Sequence, residues 1–151
     1  MSHDPASSEF IEALTKVSRK IRTTFNQQAT AQGLTYPRAR ALFRLAARQN
    51  MTQSELAFEL ELEQATMVRL LDRMEEHGLI ERRQDPADRR AKLISLTAHG
   101  AEQAALVRRL ADEMRSQIFQ GIDVEQLRVA IALLDRVSEN TANVEMGHVP
   151  A

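Results

Sequence analysis

Residues 52–97 read TQSELAFELELEQATMVRLLDRMEEHGLIERRQDPADRRAKLISLT and contain the most informative pattern of the chain. Thr52 and Glu55 stand three residues apart in a capping-box pattern, which predicts a short helix beginning after Thr52. A second helical segment begins near Glu63 and stops at Gly78. Two short apolar runs then flank a charged stretch that contains the turn signal Asp-Pro. A helix pair followed at once by a β-hairpin with a charged tip is therefore predicted.

Longer amphipathic segments lie on both sides of this stretch. Residues 8–31 carry apolar side chains at steps of three and four, and Thr35 is placed to open a second helix. After the hairpin, Thr97 is placed to cap a long helix, and Asp123 starts a last one. The predicted class is mainly α: helix, helix, short helix, helix, hairpin, long helix, helix.

The helix that begins near Glu63 has two distinct faces when it is turned by about 100° per residue. One side collects the apolar residues Met67, Val68, Leu70, Leu71 and Met74. The other side presents Gln64, Ala65 and Thr66 near its start, followed by Arg69. Small side chains allow close approach, and Gln, Thr and Arg can meet base edges or phosphates. An ordinary solvated surface would look the same, so this helix alone leaves both interpretations open.

The hairpin favours the first interpretation. Between residues 82 and 92 it has five basic residues, Arg82, Arg83, Arg89, Arg90 and Lys92, and two acidic ones, Asp85 and Asp88. The local charge is therefore +3, in a chain whose net charge is −1. A basic β-tip suits the minor groove of DNA, although charge at a sheet edge also prevents strand pairing. Together with the helix pair, the hairpin predicts a winged helix-turn-helix that contacts DNA.

Composition excludes several other classes. The chain has 151 residues, of which 43% are hydrophobic and 27% charged, as expected for one folded domain. It has no cysteine, which excludes disulfides and thiol-based sensing of peroxide. Its start is polar and no apolar run reaches the roughly 20 residues that span a bilayer, so we expect a cytoplasmic protein without a membrane partner.

Nothing in the sequence predicts an enzyme, a cofactor or a metal site. The chain has four histidines, His3, His77, His99 and His148, and they lack the spacing of a metal motif. Its five glycines are isolated and do not form a phosphate-binding loop. No serine or threonine has the context of a nucleophile beside a base.

The sequence resembles the MarR/SlyA family of winged helix-turn-helix transcription regulators. The resemblance is carried by four motifs: Thr52-Gln53-x-x-Leu56-Ala57, the run from Glu63 to Ile80, Asp85-Pro86-x-Asp88-Arg89-Arg90-Ala91-Lys92, and Leu96-Thr97-x-x-Gly100. It implies one domain over residues 1–151, with a DNA-binding part at about 35–97. Helices at about 8–33 and 98–143 would form the dimerisation part.

The family resemblance also implies a mode of action. Two subunits would bind a pseudo-palindromic operator, as a repressor released by a small effector such as an aromatic carboxylate or phenol. The effector cleft would lie between the dimerisation and DNA-binding parts, at residues that the sequence does not identify. Apolar stripes at both ends of the chain support a homodimer, since a lone small domain would leave them uncovered. The first stripe is Phe10, Ile11, Leu14 and Val17, and the second is Leu127, Ile131, Leu134 and Val137.

The resemblance assigns roles to individual residues. The major groove would receive Gln64, Ala65, Thr66 and Arg69, and Arg89 would reach the minor groove. Asp88 and Arg90 would brace the wing or touch the DNA backbone, and Arg73 and Lys92 complete the predicted DNA-binding set. One departure is Glu61, which stands where the family often has glycine. Glu61 and Glu63 bring two acids near DNA, which lowers DNA affinity unless they cap the start of the helix. The alternative function is a helical protein-interaction module that has lost DNA binding, against which the basic wing argues.

Overall fold

The computed structural model describes residues 4–144, which contain six helices and three strands. The chain divides into two compact units, Met1–Met114 and Arg115–Ala151. In chain order the elements are α1 (Pro5–Ala31), α2 (Tyr36–Ala47), β1 (Met51–Thr52), α3 (Gln53–Leu60), α4 (Gln64–Glu76), β2 (Ile80–Gln84), β3 (Lys92–Leu96), α5 (Ala98–Ile118) and α6 (Val124–Ala142). The mainly α class and the order of helices and hairpin are confirmed.

Several helices begin at the polar residues that the sequence indicates. The Thr35 hydroxyl accepts a hydrogen bond from the Arg38 amide at 3.4 Å, and Asp123 caps α6. At α3 the capping box is complete: the Thr52 hydroxyl accepts the Glu55 amide at 3.1 Å, and the Glu55 carboxylate accepts the Thr52 amide at 3.4 Å. Because a cap of this kind stabilises a helix by about 1 kcal/mol, it fixes the start of a helix of only eight residues.

The strands form one antiparallel sheet in the order β1-β3-β2. The predicted hairpin is β2 with β3, in which Ile80 lies opposite Leu96 and Gln84 opposite Lys92. The sequence did not predict β1, whose Met51 pairs with Ile94. A strand of two residues has no periodicity to recognise, and its partner lies far along the chain.

The inner face of α4 belongs to a core in which every buried side chain of residues 4–144 is apolar. Met67, Leu71 and Met74 are fully buried at the spacing of one helix face. Val68 is the exception among the apolar residues on this side of the helix, since it is 38% exposed. Val68 follows Met67 by one residue, which turns it about 100° around the helix axis, so it lies at the edge of this face and lines a surface groove.

The start of α5 is fastened to the turn that precedes β2. The Thr97 hydroxyl donates to the Gly78 carbonyl and accepts the Gly100 amide at 3.0 Å. An ideal Cβ on Gly100 would lie 1.9 Å from the Leu79 carbonyl oxygen, so only glycine fits at this point. The Leu-Thr-x-x-Gly motif therefore holds α5 against the base of the hairpin. Across residues 4–144, no helix has both the length and the apolarity of a membrane span.

Candidate nucleic-acid interface

The outer surface of α4 displays the side chains that were predicted to meet DNA. Ala65, Thr66, Arg69 and Arg73 are all exposed, because the apolar positions of the helix turn inward. Gln64, at the first position of α4, is exposed as well, and its side-chain oxygen accepts a hydrogen bond from the Gln53 side chain at 3.4 Å. This contact ties the start of α4 to α3 and leaves the remaining outer face accessible.

The turn before α4 contains the two acids that depart from the family pattern. Glu61 has φ 55° and ψ 41°, the left-handed conformation that glycine adopts without strain, which explains why a glycine suits this position. Glu63 is the N-cap residue of α4, but its side chain makes no capping hydrogen bond. The capping role that would offset the acidity of this turn is therefore not realised.

The tip of the hairpin is built by its two aspartates. The Asp85 carboxylate accepts the Ala87 amide at 2.9 Å, and the Asp88 carboxylate accepts the Arg90 amide at 2.9 Å. The Gln84 side chain also donates to the Arg89 carbonyl at 3.0 Å. These local bonds shape the turn and leave the side chains of three basic residues exposed: Arg89, Arg90 and Lys92.

Arg82 lies at the base of the hairpin and faces α4 instead of solvent. Its guanidinium donates to the Asp72 carboxylate at 2.6 Å and, through Nε, to the Glu75 carboxylate at 3.0 Å. The side chain is only 16% exposed. Desolvation lowers the pKa of Arg82, but the hydrogen bonds and charges of Glu75 and Asp72 outweigh it and leave the pKa above its ordinary value. We call this contact the Arg82 clamp, since it joins β2 to α4.

The clamp corrects the charge that the sequence ascribes to the hairpin. Arg82 is neutralised by two carboxylates on α4, and Arg83 pairs with Glu81 at 3.0 Å on the same strand. Among the described residues, the basic side chains of the hairpin that are exposed and not paired with an acid lie toward its tip, at Arg89, Arg90 and Lys92. A count of charges along the hairpin does not reveal this pairing, because the partners of Arg82 lie on another element. The spacing of Asp72 and Glu75, three residues apart on one side of α4, is the feature of the sequence that could have indicated it.

Neither the histidines nor the acids of the described chain form a metal site. Within residues 4–144, no three His, Asp or Glu side chains are arranged to hold a metal ion. His77 and His99 are exposed, whereas His3 and His148 lie outside the described residues.

Comparison with known proteins agrees with this geometry. The model of the MarR family matches residues 34–92, a range that contains α4 and the hairpin. A solved transcriptional regulator, PA3341, is 33% identical to this chain, covers 89% of it and 98% of its own length, and superposes with a TM-score of 0.81. The chain belongs to the MarR family.

Two further MarR structures share the fold. A MarR transcriptional regulator from Methanosarcina mazei Go1 is 23% identical, with 91% of this chain and 99% of that chain covered and a TM-score of 0.74. A MarR family regulator from Listeria monocytogenes, solved in complex with a 26mer DNA, is 21% identical, with 88% and 89% covered and a TM-score of 0.76. Membership of the MarR family makes this chain a transcription regulator of the winged-helix type, and the family is one of regulators and not of enzymes.

Proposed function

We propose that this MarR-family regulator binds double-stranded DNA sequence-specifically, as a homodimer on a pseudo-palindromic operator, and acts as a repressor that a small molecule releases. Because the proposed partner is chromosomal DNA, we propose a cytoplasmic protein. In this proposal the major groove receives Gln64, Ala65, Thr66, Arg69 and Arg73, and the wing contributes Asp88, Arg89, Arg90 and Lys92.

One observation carries the proposal: the outer face of α4 is small and hydrogen-bonding near its start, and it stands beside a hairpin whose tip displays the exposed side chains of Arg89, Arg90 and Lys92. An α-helix fits the major groove, and an extended basic tip beside it reaches the adjacent minor groove. The Arg82 clamp supports this use, since it holds the hairpin and α4 together as one surface. The Listeria relative in complex with DNA gives the same fold a precedent.

The homodimer is supported by apolar surface that the single chain leaves uncovered. On α6 no side chain is buried, and Ile131 and Leu134, which belong to the predicted apolar stripe and share one face of the helix, are both exposed. On α1, Ile11 and Val17 are exposed as well. Large apolar side chains that are exposed on a helix are typical of a surface that another protein covers. A second copy of the chain, related by a two-fold axis, would cover it and would present two copies of α4 to successive turns of DNA.

A small cavity of about 130 Å³ in the first unit supports the effector part of the proposal. It is lined by Phe25, Phe43, Arg40, Arg44 and Ala111, so it offers aromatic faces and guanidinium groups together. Arg40 donates to the Leu60 carbonyl at 3.1 Å, at the end of α3. An aromatic carboxylate that took this guanidinium would release the carbonyl and loosen the helix-turn-helix.

The proposed contacts are tested by replacing Arg69 and Arg89 with Ala, with Arg83→Ala as a control that removes the same charge from an exposed ion pair. Binding is measured by fluorescence anisotropy on duplexes selected by the wild-type protein, varied separately in core and flank. Each of the first two changes should cost about 1–3 kcal/mol per half-site. The Arg89 loss should be largest with A·T-rich flanks, where the minor groove is narrow. The Arg69 loss should not depend on the flanks.

Unchanged affinity for Arg89→Ala on every duplex would remove the wing from the mechanism. The interaction-module alternative makes a different prediction, because a protein that does not neutralise phosphates shows no steep dependence of DNA binding on salt. A wild-type protein that fails to bind mixed duplex DNA at low salt would favour that alternative. For the effector, a panel of small aromatic acids should lower operator affinity, and Arg40→Gln should abolish that response.

A further inference from the structure

A second groove borders the outer face of α4, on the side away from the hairpin. It has a volume of about 440 Å³ and runs between the start of α2 and the outer face of α4. Three arginines line it, Arg38 from α2 and Arg69 and Arg73 from α4, and no acidic side chain does. Leu62 and Leu70 add apolar lining. We call it the three-arginine groove.

In the described part of the chain, no carboxylate neutralises the arginines that line this groove. Several other arginines near the DNA-binding part do face an acid, as in the pairs Arg44–Glu59, Arg48–Glu55, Arg82–Asp72 and Arg83–Glu81. The groove beside the hairpin is also mixed, since Asp72 and Asp88 line it together with Arg90 and Lys92. Over residues 4–144, no ion pair within 4.0 Å joins Arg38, Arg69 or Arg73 to an acid. Three like charges around one groove repel each other, and an anion between them would relieve that repulsion.

Arg38 adds a specific observation. Its Nε is buried and has no hydrogen-bond partner among the described residues, and its side chain lines the groove. A buried donor without an acceptor costs free energy unless a ligand supplies one nearby. Arg38 lies in the first turn of α2, where Thr35 is the cap, and the partial positive charge of a helix start adds to that of the arginines.

We propose that the three-arginine groove contacts a phosphate of the DNA backbone and that Arg38 is a phosphate-contacting residue. This inference rests on the proposed function and deepens it. Thr66 and Arg69 line the groove and also belong to the outer face of α4, so a strand of DNA that meets this face passes the groove. Phosphate contacts fix the register of a protein on the duplex and carry no base preference. Arg38 therefore sets affinity and salt dependence, whereas the outer face of α4 sets sequence preference.

The test compares the full-length wild type with Arg38→Gln, Arg38→Lys and the control Arg109→Gln, which removes an exposed arginine on α5. Anisotropy titrations use a duplex selected by the wild type and a duplex of random sequence, each over a range of salt. One phosphate contact contributes about 0.9 to the slope of log K against log salt, so two copies in a dimer should lower the slope by about 1.8 in Arg38→Gln. The affinity of Arg38→Gln should fall roughly tenfold on both duplexes at low salt. Arg38→Lys should keep the slope, and Arg109→Gln should match the wild type.

Four results would overturn the inference. An unchanged slope and affinity for Arg38→Gln would show that the groove lies off the DNA path. An equal loss in Arg38→Lys would show that packing and not charge is responsible, and a loss confined to the selected duplex would indicate a base contact. Stabilisation by inorganic phosphate that Arg38→Gln abolishes, with DNA binding intact, would identify a site for free anions. Failure of the proposed function is distinguishable, because then the wild type itself binds neither duplex.

Discussion

Replacing Arg82 with Ala tests whether the Arg82 clamp holds the wing against α4. The change removes the contacts to Asp72 at 2.6 Å and to Glu75 at 3.0 Å. The side chains of these two acids remain 51% and 44% exposed, so water can solvate them once the guanidinium is gone. The cost is therefore the loss of two charge-assisted contacts and not the exposure of a buried, unpaired charge.

The size of the effect follows from this partial exposure. Exposed ion pairs contribute about 0.2–1 kcal/mol each. Because Arg82 itself is well covered and its contacts are charge-assisted, each contact should lie at or above the upper part of that range. We expect Arg82→Ala to lower the free energy of unfolding by about 1–2 kcal/mol. Arg83→Ala, which removes a guanidinium that is 73% exposed, should cost less than about 0.5 kcal/mol.

Urea denaturation of the wild type, Arg82→Ala, Asp72→Asn and the double variant isolates the contact. The coupling free energy between Arg82 and Asp72 should be about 0.5–1 kcal/mol. Hydrogen exchange at the β2 and β3 amides should rise in Arg82→Ala and not in Arg83→Ala, since only the first frees the hairpin from α4. Additive single changes, or equal exchange in both arginine variants, would refute the clamp.

Three other changes follow from the structure. Glu61→Gly should raise the free energy of unfolding by up to about 1 kcal/mol, since glycine adopts the left-handed conformation without strain, and it should tighten DNA binding. Glu61→Gln should tighten DNA binding without the gain in stability. A loss of stability in Glu61→Gly on urea denaturation would contradict this. Gly100→Ala should lower the free energy of unfolding by about 3 kcal/mol, because its Cβ would meet the Leu79 backbone. Gly33→Ala should lower it by about 1 kcal/mol, because Gly33 has φ +77° but open space around it. Equal losses of stability on urea denaturation would contradict this difference. Desolvation raises the pKa of Glu55, but the hydrogen bonds from Thr52 and the charge of Arg48 outweigh it and leave the pKa below its ordinary value of 4.5. This stabilisation is complete above that ordinary value and is lost as the pH falls through the folded-state pKa, so the difference in Tm between wild type and Glu55→Gln should shrink on acidification; a difference that is constant with pH would refute it.

Local signals predicted the helices and the hairpin correctly because their causes are local. The capping box at Thr52 and Glu55 involves residues three apart, and the burial of Met67 and Leu71 follows from helical spacing. Thr97 was also predicted as the cap of a long helix, and α5 begins at the next residue. In these cases neighbours in sequence were the partners in the structure.

Features that depend on distant partners were not predicted. β1 forms because Met51 pairs with Ile94 of β3. The charge of Arg82 is neutralised because its guanidinium forms ion pairs with two acids of α4. Arg38 was not recognised as a candidate contact because the sequence does not show that α2 begins beside the outer face of α4. Such contacts arise from packing, which a hydrophobic pattern does not specify to the level of single side chains.

Selection of bound sites from random duplex DNA by the 151-residue protein tests directly whether a homodimer reads DNA through α4. We expect enrichment of a near-palindrome whose two half-sites are about one helical turn apart, because two copies of α4 would read successive major grooves. Pools selected without enrichment, or enriched only in sites that lack two-fold symmetry, would contradict it.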